Sequence, residues 1–141
     1  MPNSAYFAIG ISPAPFVADE DLTAKQWMLV AAASTAGYVK AANSACDPTP
    51  IGVLVNDPST GQAAAVVLFG PTKAKVRSNA CTLRHGGFLR AASDGFFEPI
   101  ATTGSTIWQA GRWFGAVETG AATCLLGNVF VHIIAPDNAA S

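Results

Sequence analysis

Charge is what this sequence has least of. Asp, Glu, Lys and Arg make up 12% of its 141 residues, about half the share of an average soluble domain. The formal net charge is −1 and the pI is near 6.0, so no basic footprint points to nucleic acid or to an anionic membrane surface. Long apolar runs are missing too. Runs such as residues 27–33 and 129–131 fall far short of the ~20 residues a helical membrane span needs, so no membrane partner is expected. No basic residue precedes Lys25, and Gly10, Pro13 and Pro15 interrupt the early apolar stretch, so the N-terminus does not read as a secretory signal. The cysteines, Cys46, Cys81 and Cys124, are three in number and far apart, which matches neither a disulfide framework nor metal-ligand spacing. They read as buried reduced thiols.

Half of the residues are hydrophobic. With so few ionised groups, the outer surface must be built largely from small polar residues and apolar atoms, a composition that favours association with other subunits. Gly and Pro recur through the chain and leave few windows for a long helix. The one candidate, residues 21–35, has good helix formers, but Trp27, Met28, Leu29 and Val30 are contiguous and a turn at Ala36-Gly37 follows, so it reads as a buried strand. Further strands are expected at 51–55, 63–69, 72–77, 87–91, 96–100, 113–118 and 123–134. Short strands at regular intervals imply an all-β fold, a small β-barrel or β-sandwich-like domain. Asp57-Pro58-Ser59-Thr60-Gly61 and Ser93-Asp94-Gly95 read as tight reversals.

Residues 1–21 read as an extended N-terminal arm, because Pro2, Pro13 and Pro15 oppose helix; residues 22–141 read as a single β-rich domain. The arm carries Tyr6, Phe7, Ile9, Ile11 and Phe16, apolar side chains that a disordered tail would lack, so it is expected to order against its own body or a neighbour. In 72–77 the alternation has period two. Thr72, Ala74 and Val76 face one way and Lys73, Lys75 and Arg77 the other. Those three cations, with the apolar residues of the arm, are the candidate contact residues.

Reactive groups do not converge. His132 lies in an apolar strand and His85 precedes Gly86-Gly87. Cys81, His85 and Asp94 are the members available for a cysteine hydrolase, but no nucleophile turn accompanies them. Glu98 and Glu118 make a carboxylate pair of the kind any β-domain offers. No phosphate-binding, dinucleotide or zinc-peptidase motif is present. The sequence therefore reads as non-enzymatic, with no cofactor and no metal site. An alternative binding role, for a glycan or small ligand, would use Trp108 and Trp113.

The order of several segments resembles the capsid cement (head decoration) proteins of tailed phages. The telling pieces are Gly52-Val53-Leu54 leading to Asn56-Asp57-Pro58, then Gly61-Gln62-Ala63-Ala64, then Gly70 with Lys73, followed by a Gly-rich turn, the Ser-Asp-Gly hairpin and a closing Phe114-Gly115-Ala116-Val117-Glu118-Thr119 strand. The resemblance implies a β-rich homotrimer, made in the host cytoplasm, that binds the major capsid protein on the outer surface of the virion. It implies a stabilising role without catalysis. Leu83-Arg84-His85 and the aromatic-containing arm depart from that pattern.

Overall fold

The computed structural model describes residues 14–42, 50–78, 82–92, 94–100, 109–117 and 124–134. Those residues form ten strands and no helix: β1 Ala14–Ala18, β2 Leu29–Ala32, β3 Tyr38–Ala41, β4 Pro50–Leu54, β5 Ala63–Val67, β6 Gly70–Val76, β7 Phe88–Ala91, β8 Phe97–Pro99, β9 Gln109–Trp113 and β10 Leu125–Ile134. The all-β expectation holds, and the choice between sandwich and barrel is settled. The strands close into two barrels, β1-β3-β2-β4-β5 and β10-β6-β8-β7-β9.

The barrels repeat one another. Replacing β1 to β5 by β6 to β10 in order reproduces the same neighbours, including a single parallel pair, β1–β3 in one and β6–β8 in the other. The registers repeat as well. Ala18 pairs with Val39 as Val76 pairs with Phe97. Ala32 pairs with Val39 as Ala91 pairs with Phe97, and Ala14 with Val66 as Thr72 with Val129. Val30 faces Gly52 as Leu89 faces Gly111, and both ladders slip at the next residue.

The turns follow suit. Ala33 N–H donates to Tyr38 O at 2.9 Å, and Ala92 N–H to Phe96 O at 2.8 Å; the glycines that close these two hairpins, Gly37 and Gly95, have φ of 83° and 89°. Trp27 N–H donates to Leu54 O, and Gly86 N–H to Trp113 O, both at 2.6 Å. Trp27 is the one non-glycine among the described residues with positive φ, 67°, where Gly86 has 80°. A shared backbone turn thus explains why a bulky residue sits in a region that L-residues avoid.

Strand alternation distributes the core. Val30, Val39, Leu54, Ala64 and Val66 fill the first barrel with Ala18 and Leu22. The opposite faces of β2 and β4 carry Leu29, Ala31 and Val53, which join Ala74, Val76, Leu89, Phe97, Trp113, Val129 and Val131 in the larger cluster. Two backbone bonds reinforce this junction: Leu29 N–H donates to Gly95 O at 2.9 Å and Lys75 N–H to Trp27 O at 2.8 Å. The link between β5 and β6 is only Leu68-Phe69.

Several strand expectations shift. Within 21–35 only Leu29–Ala32 is strand, because residues 22–28 are spent on turns bonded through Lys25 N–H to Leu22 O and Met28 N–H to Lys25 O. The strand expected at 113–118 lies earlier, at Gln109–Trp113. Chain direction there is set by Gly111, which packs against the backbone of Phe130 and Val131 and so holds β9, not the segment after it, on β10. Residues 14–18, within the segment expected as an arm, are β1, hydrogen-bonded between β3 and β5. Tyr6, Phe7, Ile9 and Ile11 lie outside the described residues. No helix of the described residues is long and apolar enough to cross a membrane.

Candidate interaction surfaces

The strand β6 presents its cations as the alternation requires. Thr72, Ala74 and Val76 are buried, while Lys73 is exposed and Lys75 half-buried on the outer side. Beside them, in register on β10, stand Asn128 opposite Lys73 and Leu126 opposite Lys75. This outer face is as apolar as it is basic: Leu126 is 53% exposed and Phe69, at the start of the same edge, is 62% exposed. Phe69 meets Phe130 edge to face at 5.0 Å, a favoured aromatic geometry.

Arg77 does not belong with the two lysines as a free surface cation. Its Nη1 donates to Asp94 Oδ2 at 2.6 Å and its Nε to Glu98 Oε2 at 2.8 Å. Glu98, 3% exposed, also accepts from Arg90 Nη2 at 3.1 Å. Burial opposes the charge on Arg77, but the hydrogen bonds and charges of Glu98 and Asp94 outweigh it and hold its pKa above the ordinary value. The reason is local. Asp94 sits on the β7–β8 turn and Glu98 on β8, next to the end of β6, so Arg77 locks the hairpin onto that strand. Phe16, another candidate contact, is half-buried and packs against the first barrel's core.

A second cluster was not anticipated from sequence. Arg112 lies over Phe88 at 4.9 Å and near Phe114 at 5.9 Å, and Phe114 meets His85 at 5.6 Å. Arg112 Nε donates to Gly86 O at 3.0 Å, and His85 Nδ1 lies 3.2 Å from Gly115 O. Phe88 is 50% exposed. The only sequence signal was the departure at Leu83-Arg84-His85.

Trp113, expected as a ligand anchor, is a core residue, 4% exposed. Its Nε1 donates to Ala116 O at 2.8 Å, and its ring lies so close over Gly115 and Gly127 that a Cβ at either would collide with it. The cavity beside it, lined by Leu83, Phe88, Leu89, Pro99 and Ile100 among others, is about 140 Å³, against roughly 300–1,000 Å³ for small-molecule sites. Trp108, Cys81 and Glu118 lie outside the described residues. Cys124 is exposed, not buried as expected, because it precedes the first inward residue of β10. Among the described residues no group of His, Cys, Asp and Glu is placed to hold a metal ion.

The geometry defines a class: a tandem of two register-matched five-stranded barrels sharing a core, with aromatic and cationic side chains on the outer surface. One solved structure with this fold is the N base of head fiber gp8.5 in bacteriophage phi29, which matches with a TM-score of 0.53 and 17% identity over 86% of this chain and 93% of that one. No protein-family model matches the chain, and no curated protein sequence matches it.

Proposed function

We propose that this protein is a structural, non-catalytic component of a phage head, binding the major capsid protein on the outer surface of the virion. The observation that carries the reading is the shared fold with a head fiber base, which extends over nearly the whole of both chains. The segment order that resembles capsid cement proteins supports the same assignment independently. Within it we assign a stabilising, cement-like role and a homotrimer at three-fold or quasi-three-fold positions. A trimer touches several capsid subunits at once, and linking individually weak contacts raises apparent affinity by roughly 10²–10⁴.

The outer face of β6 and β10 supplies contact chemistry of the right kind: Lys73 for an acidic surface, with Leu126, Phe69 and Phe130 as apolar anchors. The test is co-sedimentation of the purified protein with undecorated heads across a salt series. Saturable attachment, weakened in the Lys73→Ser, Lys75→Ser double variant mainly at low salt, is the expected result. Heads that bind no protein at any salt concentration would reject the reading.

A further inference from the structure

The Phe69–Phe130 edge and the Arg112 cluster belong to one face. Register carries it across four strands of the second barrel: Phe88 on β7 pairs with Arg112 on β9, Arg112 with Phe130 on β10, and Phe130 with Pro71 on β6. Directly paired residues share one side of a sheet. Here it is the outer side, because Phe88, Arg112 and Pro71 are exposed and Phe130 is half-buried. The next rows continue it, with Asn128 opposite Lys73 and Leu126 opposite Lys75; Phe114, 41% exposed, donates its N–H to Asn128 O at 2.8 Å.

Charge and apolar surface are both segregated along the chain. Strands β6, β7, β9 and β10 contain no acidic residue. Ion pairs among the described residues involve only Arg77 and Arg90 as cations, so Lys73, Lys75 and Arg112 have no carboxylate partner there. Every exposed large hydrophobic side chain of the described residues lies at residue 68 or beyond. The first barrel presents the opposite character. Asp19, Glu20, Asp21 and Asp57 are exposed, its Lys25 and Lys40 are half-buried, and no exposed large hydrophobic side chain accompanies them among the described residues. A net charge of −1 conceals this polarity.

We propose that the second barrel is the docking half of the molecule: its β7-β9-β10-β6 face seats on a capsid-protein surface that carries a carboxylate among apolar side chains, Arg112 receives that carboxylate, and the first barrel is held away from the shell. The contact rests on the head assignment made above and adds to it the side of the molecule, the anchor and the chemistry of the partner. Arg112 is set for the role. Its Nε donates to Gly86 O at 3.0 Å, and its guanidinium lies over Phe88 at 4.9 Å and near Phe114 at 5.9 Å. The side chain is thus fixed before it binds and loses little freedom on docking. Flanking rings exclude water once a partner closes over them, the setting in which an arginine becomes a dominant contact.

Complementarity selects the occupant. A second copy of this chain offers acids on its first barrel but no exposed large apolar side chains to cover Phe88, Phe114 and Leu126. A single-stranded nucleic acid needs open ring faces for its bases, whereas Phe88 gives a face to Arg112 and Phe130 is packed with Phe69 and His132. An acidic protein surface with apolar neighbours matches both the cations and the rings.

Co-sedimentation with undecorated heads tests the contact through three changes, each checked for folding by far-ultraviolet circular dichroism. Arg112→Ala is expected to weaken attachment about tenfold or more, as loss of a central arginine anchor does. Asn128→Glu sets an acid on the same face at an exposed position, leaves the bonds of Arg112 in place, and is expected to weaken attachment by a similar factor; it decides the matter if Arg112→Ala fails to fold. The triple variant Asp19→Asn, Glu20→Gln, Asp21→Asn is expected to attach as the wild type does. A folded face variant that attaches like the wild type, or a triple variant that does not attach, overturns this inference and leaves the head assignment standing. Displacement of the wild type by a single-stranded DNA oligonucleotide, or a wild-type oligomer that Asn128→Glu takes apart in sedimentation velocity, gives the face to a nucleic acid or to a second copy and overturns it equally. Heads that never bind the wild type remove the head assignment and this contact together.

Discussion

Gly111 stands in β9 where Gly52 stands in β4, and each is pressed against the neighbouring strand, Gly111 on Phe130 O and Gly52 on Val67 O. Neither has room for a Cβ, and the obstructing atom in both cases is a ladder carbonyl that cannot turn aside. Gly52→Ala and Gly111→Ala are therefore each expected to destabilise the fold by about 2 kcal/mol or more, as overpacking against fixed structure does. Urea melts of the two variants check this. A change below about 0.5 kcal/mol at either site, the range of an ordinary surface substitution, would mean that the strands separate there.

Gly86 and Trp27 share a left-handed turn, yet only one of them is glycine. A Cβ on Gly86 meets nothing closer than Arg112 Nη2 at 3.6 Å, so Gly86→Ala carries conformational strain without collision. The expected loss is about 1–2 kcal/mol, read from the denaturation midpoint and smaller than at Gly111. Equal losses at the two glycines would show that space, not φ, governs Gly86.

Glu98 is the hub of the ionic network, and its removal takes the carboxylate from Arg90 and leaves Arg77 with Asp94 alone. Glu98→Ala is expected to cost about 2–3 kcal/mol, because two charge-assisted hydrogen bonds to a buried carboxylate are lost. Asp94→Ala, which removes an exposed partner, is expected to cost under about 1 kcal/mol. Thermal melts that rank the two the other way would place the weight of the network on Asp94.

Cys124 is exposed at the foot of β10. A thiol reagent such as dithionitrobenzoate is expected to modify it in the native protein without added denaturant, and Cys124→Ser to remove one equivalent from that fast phase. Labelling seen only after unfolding would put the thiol inside.

The strands were legible wherever alternation or a turn signature was strong. Thr72 to Val76, the Asp57-Pro58 reversal and the Asp94-Gly95 hairpin all lie where the residues indicate. Legibility failed at residues 21–28, where an apolar run containing Trp27 and Met28 fills a turn, since contiguity alone does not distinguish a buried strand from a buried loop. Most of the duplication was hidden. The two barrels share backbone registers but place different chemistry on corresponding outer positions: Leu29 against Phe88, Ala31 against Arg90, Val53 against Arg112. What they hold in common is glycine at a close approach, as at Gly52 and Gly111, and apolar residues inside, a pattern too sparse to read as a repeat. The ion pairs of Arg77 were hidden for a related reason, because period two gives a side chain's face but not the partner that reaches it from β8.

Only Leu68 and Phe69 separate the barrels, and Leu29 and Val53 are packed into the far side of the seam. The pair therefore has no elbow. A pull on one half passes to the other through side chains and paired amides instead of being taken up by slack chain, so the molecule bears load as a short strut. Were it fixed on a shell, as proposed above, a body of that kind would either hold its neighbours at a set spacing or detach whole.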